Sequence, residues 1–259
     1  MNKPQHKARK RFGQNFLVDD SIIFQIIHSI MPTPGEALVE IGPGLGAMTR
    51  PLLKAAKKMT VIELDRDLIA YLQSLAGLTV INEDVLKVDL SQLSPEGVKL
   101  RVVGNLPYNI STPIIFHLLT SVDMIDDMHF MLQKEVIDRM AAQPGDSSFG
   151  RLSIMVQRYC EVVPLLEIPP ESFDPAPKVM SQFVRLIPYN GNPYGIKDDK
   201  QFFDVVKEAF SMKRKMLRNN LKPLMTEAEI EALGIDPKIR AENLHIADFV
   251  KLSNYLTER

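Results

Sequence analysis

A carboxamide, a proline and a phenol, in the order Asn105-Leu106-Pro107-Tyr108, close the apolar run Leu100-Arg101-Val102-Val103-Gly104 and form the stretch best suited to chemistry. An amine on an aromatic ring is a poor nucleophile because its lone pair is delocalised into the ring; acceptors on its two hydrogens draw that lone pair outward. The Asn105 side-chain carbonyl and nearby backbone carbonyls are acceptors of this kind. Pro107 has no N–H to compete for them and restricts the residue before it, while Tyr108 offers a face on which a flat base can stack. Taken alone, the tetrapeptide reads equally well as a strand followed by a Pro-Tyr turn.

A second stretch, Glu40-Ile41-Gly42-Pro43-Gly44-Leu45-Gly46, stands where a strand would turn into a helix. Glycines there let the backbone approach a ligand with no Cβ in the way. Gly42, Gly44 and Ala47 also satisfy the G-x-G-x-x-A spacing of dinucleotide sites, so the glycines leave both nicotinamide cofactors and other adenosine ligands open. About 20 residues on, the next strand ends in Glu63, where a carboxylate accepts from ribose hydroxyls. Asn82-Glu83-Asp84 ends the third strand, and a carboxylate at that point could accept from an adenine amine. Each acidic residue alone is an ordinary solvated carboxylate; at neighbouring strand ends they make a ligand rim.

The elements that must hold these groups are legible as periodicity. Ile23, Ile26, Ile27 and Ile30 recur at helical spacing after the helix-starting residues Asp19, Asp20 and Ser21. Short β-rich runs then alternate with helical patterns: Ala37–Ile41, Met59–Glu63, Leu78–Asn82, Leu100–Gly104 and Met128–Leu132. That alternation predicts βαβ units and a mostly parallel, doubly wound sheet. Val162–Ile168 and Gln182–Ile187 have no crossover helix between them and read as an antiparallel pair added at one edge. Residues 188–195, Pro-Tyr-Asn-Gly-Asn-Pro-Tyr-Gly, are dense in turn formers and mark a boundary. Beyond it the pattern is helical: one apolar stripe of Phe203, Val206, Phe210, Leu217, Leu221 and Leu224, a capping box of Thr226 with Glu229, a stop at Gly234, a new start at Asp236-Pro237, and a last helix using Phe249, Leu252 and Leu256.

With 259 residues and 45% hydrophobic side chains the chain can fill a sizeable core. Cys160 is its one cysteine, which rules out an intramolecular disulfide and a multi-Cys zinc site and fits a reducing cytoplasm. No run approaches the ~18 apolar residues of a membrane span, and the basic start lacks a following apolar stretch, so neither secretion nor membrane insertion is expected. The net charge of −1 favours no partner, yet the basic residues are clustered. Lys3, Lys7, Arg9, Lys10 and Arg11 precede any acidic residue, and Lys207, Lys213, Arg214, Lys215, Arg218 and Lys222 stand against Glu208 alone. Two basic faces on a neutral protein suit a polyanion, although solvated basic faces are common in proteins that never meet nucleic acid.

In their order and spacing these stretches resemble the KsgA family of S-adenosylmethionine-dependent small-subunit rRNA adenine dimethyltransferases. The likeness covers nearly the whole chain: Lys10-Arg11-Phe12-Gly13-Gln14-Asn15-Phe16-Leu17, Glu40–Gly46, Val61-Ile62-Glu63-Leu64-Asp65, Asn105–Tyr108 with Asn109-Ile110-Ser111, Gln133-Lys134-Glu135, and Phe173-Asp174-Pro175-Ala176-Pro177-Lys178-Val179. Two departures are visible: Phe149 stands before Gly150-Arg151-Leu152-Ser153 where the family often has tyrosine, and Glu83 replaces a commonly smaller residue. The resemblance implies an α/β fold of the Rossmann-like class I methyltransferase type, with a mostly parallel seven-stranded sheet carrying an antiparallel edge pair. A catalytic domain over 1–188 and a small all-helical C-terminal domain over 196–259, with a role in rRNA contact, would follow. It places S-adenosylmethionine, leaving as S-adenosylhomocysteine, against Gln14, Asn15, Leu17, Gly42, Gly44, Glu63, Asp84 and Asn105, with no metal. Asn105, Leu106, Pro107 and Tyr108 would carry the chemistry, and Phe173 would be a second wall, with Tyr108, against the target base.

By the same resemblance, the substrate is a pair of adjacent adenines in a loop near the 3′ end of small-subunit rRNA, methylated twice at N6 late in subunit biogenesis. The protein would be a cytoplasmic monomer whose partner is the small ribosomal subunit. Rival readings are a nicotinamide oxidoreductase, which leaves Asn105–Tyr108 unexplained, a large-subunit rRNA adenine methylase, and a non-catalytic ribosome-assembly or transcription factor. A DNA adenine methyltransferase typically has proline where Leu106 stands.

Overall fold

The structure, a computed structural model, describes residues 15–95, 97–212 and 214–259. Its strands are β1 (Phe16–Leu17), β2 (Ala37–Ile41), β3 (Met59–Ile62), β4 (Leu78–Ile81), β5 (Leu100–Asn105), β6 (Ile125–Gln133), β7 (Cys160–Ile168), β8 (Phe173–Asp174) and β9 (Ser181–Pro188). The helices are α1 (Asp20–Ile30), α2 (Thr49–Ala56), α3 (Arg66–Gln73), α4 (Ser111–Leu119), α5 (Lys134–Ala141), α6 (Arg151–Gln157), α7 (Asp199–Ala209), α8 (Leu217–Leu221), α9 (Glu227–Ala232) and α10 (Ile246–Glu258). No helix among the described residues is long and apolar enough to cross a membrane.

Seven strands form one sheet in the order β4-β3-β2-β5-β6-β9-β7. β2 pairs in parallel with β3 and β5, β3 with β4, and β5 with β6, whereas β9 runs antiparallel to β6. The expected strand positions are met within a few residues, but β9 lies between β6 and the edge strand β7. The chain lays down β2, moves outward through β3 and β4, then returns to the other side of β2 to add β5 and β6. Strand order therefore reverses between β2 and β5, and the carboxyl ends of these two strands flank the crevice where open α/β sheets bind ligands. Strands covered on both faces need unbroken apolar runs, which Leu38-Val39, Val61-Ile62 and Val102-Val103 supply, all buried. Gly104 is needed for a different reason: a Cβ there would come within 2.7 Å of the Ile41 carbonyl oxygen on β2.

The opposite ends of the strands are tied by charge. Arg101 on β5 bonds both carboxylate oxygens of Asp127 on β6 (2.9 and 3.0 Å), Glu36 (3.0 Å) and the Ile30 carbonyl that ends α1 (2.8 Å). Arg185 on β9 adds two more bonds to Asp127, at 3.1 and 2.9 Å. A 1%-exposed carboxylate is thereby matched by two guanidinium groups, the condition under which a buried charge is tolerated. Asp19 caps α1 by accepting from the Ser21 and Ile22 amides, as its residue type predicts.

By internal contacts the chain divides into two units. One holds the chain up to Ile137 and Val162–Pro188; the other holds Asp138–Glu161 and Tyr189–Arg259. The turn-rich segment from Tyr189 and the stretch between Ile137 and Val162 both group with the C-terminal helices. The cause is packing: Ala142, Phe149 and Ile154 belong to the core built by Phe202, Val205, Val206, Leu217, Leu221, Phe249 and Leu252. In that unit Thr226 and Glu229 form the expected capping box, and Gly234 follows α9 with φ of +76°. The expected single stripe from Phe203 to Leu224 is instead two helices, α7 and α8. On α7 the buried phenylalanine is Phe202, while Phe203 lies 39% exposed under the Arg151 guanidinium. Asp236-Pro237 opens a turn, and the last helix begins only at Ile246.

Candidate active site

At the carboxyl ends of β2, β3, β4 and β5 the first unit encloses a cavity of about 400 Å³, within the range of small-molecule sites. Its base is the turn after β2. The Gly42 amide bonds the Ile62 carbonyl and the Gly46 amide the Pro43 carbonyl, both at 2.9 Å. Gly44 has φ of +54°, and a Cβ on it would come within 3.0 Å of the Phe16 ring. Glycine is required there twice over, by the left-handed backbone and by the aromatic laid against it.

Two carboxyls stand behind this turn. Glu63, 6% exposed, accepts from the Gly44 amide at 3.2 Å and from the Asp65 amide at 2.8 Å. Burial raises its pKa, against the pull of those amides. Glu40, 2% exposed, accepts from the Thr49 hydroxyl at 2.6 Å. Burial, opposed by that hydroxyl and reinforced by the neighbouring Glu63 carboxylate, pushes the Glu40 pKa up to about 8. Asp84, at the end of β4, is held by the Leu86 amide at 3.0 Å and faces the cavity with Glu83. Between the carboxyls lie Leu64 and Leu86, 49% and 37% exposed. Apolar surface left open at a cavity wall suits an aromatic ring, and flanking acceptors suit ribose hydroxyls and a ring amine. Glycine turn, carboxylates and leucines therefore fit an adenosine-bearing cofactor.

The far side belongs to Asn105–Tyr108. The Leu106 amide bonds the Met131 carbonyl at 3.2 Å, which pins the exit of β5 to β6, and the Ile110 amide bonds the Pro107 carbonyl at 3.1 Å to close the turn. The Asn105 Nδ2 donates to the backbone carbonyl of Asn15 at 2.9 Å. That bond engages the nitrogen of the carboxamide and leaves Oδ1 as its acceptor end. Tyr108 is half-buried at the cavity wall with its hydroxyl bonded to that of Ser181. Burial raises the phenol pKa, against the Ser181 hydrogen bond, so it stays protonated.

Residues 15–19 cross this cavity as a strap. Phe16 and Leu17 pair with Asp174 and Phe173, the Val18 amide bonds the Ser172 carbonyl at 2.9 Å, and the Ser172 hydroxyl bonds Asp19 at 3.1 Å. Asn15, Leu17, Gly42, Gly44, Glu63, Asp84 and Asn105 all line the cavity, as do Leu106, Pro107 and Tyr108. Gln14 and the basic residues 3–11 lie outside the described residues. Phe173 is 4% exposed, in one apolar cluster with Leu17, Met131, Ile168 and Phe183, and is not among the residues lining this cavity. It pairs with Leu17 in the β1–β8 ladder. Phe16, Leu64 and Leu86 line the cavity as well; Leu64 directly follows Glu63 and Leu86 stands two residues after Asp84, a signal that could have marked both. Among the described residues no group of three or more His, Cys, Asp or Glu is placed to hold a metal ion.

A doubly wound sheet with an adenosine-type cavity at its switch point, and an Asn-Leu-Pro-Tyr turn facing it, defines a Rossmann-like methyltransferase. A family model for ribosomal RNA adenine dimethylase matches residues 5–258. The chain belongs to that family, whose members are S-adenosylmethionine-dependent enzymes. It is 53% identical over 257 residues to a "Ribosomal RNA small subunit methyltransferase A" of Idiomarina loihiensis, covering 98% of this chain and 89% of that one. A protein of the same name from Photorhabdus laumondii is 51% identical over 259 residues, covering 98% and 95%. Among solved structures, a dimethyladenosine transferase from Plasmodium falciparum superposes with a TM-score of 0.77 at 27% identity, covering 94% of this chain and 98% of that one. The 23S rRNA methyltransferase ErmE shares the fold at a TM-score of 0.70 and 23% identity, covering 94% and 100%.

Proposed function

We propose that this enzyme converts adenines of small-subunit rRNA to N6,N6-dimethyladenine, with the amine held by Asn105 and the base stacked on Tyr108. The observation that carries the site assignment is the Asn105 carboxamide, anchored by Asn15 and set at the same cavity as the glycine turn. Small-subunit specificity is supported by the names of relatives that align along nearly their full length.

Asn15, Leu17, Gly42, Gly44, Glu63 and Asp84 would hold S-adenosylmethionine, which supplies a methyl group already activated by a sulfonium charge. A target adenine turned out of its loop needs compensation for lost stacking, and an aromatic face returns ~1–3 kcal/mol per base. Tyr108 provides that face. Asn105 Oδ1 and the backbone carbonyls of the turn accept from the exocyclic N–H groups, which directs the lone pair toward the cofactor side and stabilises the positive charge the nitrogen gains. Transfer moves a charge rather than creating one, so alignment is the larger contribution. The alkylated amine, conjugated to the purine, is acidic enough to lose its proton to water.

The helical unit offers a phosphate-binding surface. Lys207, Arg214, Lys215 and Lys222 are exposed, whereas Arg218 is engaged by Glu227 at 2.6 Å. RNA recognition that rests on phosphates and loop shape uses such a face. The deciding experiment incubates the protein with labelled S-adenosylmethionine and, in separate reactions, unmethylated small subunits and large subunits, then analyses nucleosides. N6,N6-dimethyladenosine in the small-subunit rRNA is expected. Label confined to large-subunit rRNA, or no label with cofactor bound, would reject the assignment.

A further inference from the structure

We infer that Ser181 is a positioning residue for methyl transfer, tethering the hydroxyl of Tyr108 so that the ring meets the target base at one fixed place in the cavity wall. This rests on the reading of Tyr108 as the stacking face.

Two features of the fold make the tether rigid. Ser181 is fully buried and opens β9, where it pairs with Gln133 at the end of β6; the next amide along the chain, that of Lys134, bonds the Met180 carbonyl at 3.0 Å. Tyr108 leaves the end of β5, whose last residue Asn105 pairs with Met131 of that same β6 and whose following amide, Leu106, bonds the Met131 carbonyl. Both ends of the Tyr108–Ser181 bond are thus referred to one strand, and the bond spans the gap between them across its carboxyl end. The Ser111 hydroxyl, 3.4 Å from the Tyr108 carbonyl, steadies the backbone but not the ring.

A wall for stacking must hold its place. The tyrosine ring pivots on Cα through χ1, and that rotation carries its far edge by more than the tolerance of an in-line displacement, where misplacement by about 1 Å costs on the order of 100-fold. A bond at the para oxygen, which lies on the axis of ring rotation, stops the χ1 swing at the point furthest from the backbone. Either hydroxyl can donate, so the tether survives whichever way the proton lies. Phenylalanine at 108 would retain the face and lose the tether.

The test is a double-mutant cycle of Tyr108→Phe and Ser181→Ala in the intact protein, read by single-turnover methylation of unmethylated small subunits with cofactor and particle affinities measured separately. Each single variant should lower the transfer rate about three- to tenfold, the double no further, and S-adenosylmethionine affinity should not move. Additive losses, or a Ser181→Ala loss carried by cofactor affinity, would show a general packing role and overturn the inference. If Ser181→Ala fails to fold, Tyr108→Phe removes the same bond from its other end, and a wild-type rate in that variant overturns it equally. Tyr108→Ala separates the two levels. A large loss there with no loss in Tyr108→Phe sinks only the tether, whereas a wild-type rate in Tyr108→Ala sinks the stacking wall itself.

Discussion

Replacing Asn105 with alanine removes two things the structure lets one weigh separately. The first is the acceptor Oδ1 at the cavity. One preorganised partner for developing charge in a water-excluded site is worth about 2.7–4 kcal/mol, so kcat should fall roughly 10²- to 10³-fold. The second is the Nδ2 bond to the Asn15 carbonyl, which holds the strap over the cofactor side. A neutral hydrogen bond contributes about 0.5–1.5 kcal/mol, so cofactor affinity should fall by no more than about tenfold. Asn105→Asp divides the effects: it keeps an acceptor oxygen but sets a carboxylate against the Asn15 carbonyl, and should weaken the strap while retaining more transfer than alanine. The assay is methylation of unmethylated small subunits at saturating cofactor and particle, with cofactor affinity from calorimetry. A fall in kcat below tenfold for Asn105→Ala would refute the acceptor role, and a loss confined to cofactor affinity would reduce Asn105 to a clasp.

Other expectations follow from the same geometry. Glu63→Gln should lower S-adenosylmethionine affinity about tenfold to a hundredfold in calorimetry, since bonds to a charged acceptor are worth about 1.5–3 kcal/mol; an unchanged affinity would remove Glu63 from the cofactor site. His129, fully buried on β6, has its pKa lowered to about 4, first by burial, with Asp127 opposing and Arg101 and Arg185 assisting. Between its ordinary ~6.5 and that value the unfolded chain binds a proton that the folded chain does not, so stability should decline as pH falls through this window and His129→Phe should flatten the slope in urea titrations. Neutralising Arg214 and Lys215 together should reduce the salt slope of small-subunit binding by about 1.4–1.8, and Arg218→Ala, already paired with Glu227, by less.

Much of this molecule can be read along the chain because its signals are local. Period-2 and period-3.6 patterns place β2 through β6 and α1, since burial on one or both faces leaves that imprint wherever the strand or helix sits. Asp19 and the Thr226–Glu229 box act on amides two or three residues away, so their roles are written in adjacent letters. The ligand rim of Glu63 and Asp84 is legible for a related reason: in a doubly wound sheet every strand end after a crossover arrives at the same edge.

What the linear order could not disclose depends on groups brought together from far apart. Nothing near Phe173 in the sequence says that Leu17 will pair with it and draw its ring into the core, and the helical letters between Ile137 and Val162 do not tell which core they will join. Ser181 reads as one more strand residue until β9 is laid beside β6, and Arg101 as an interruption of an apolar run until Asp127 and Glu36 arrive to neutralise it. Local preference and burial pattern determine which elements form and which ends carry acceptors. Only the closed sheet, by setting strands remote in sequence about 5 Å apart, decides which side chains meet at the cavity and which are drawn into the core.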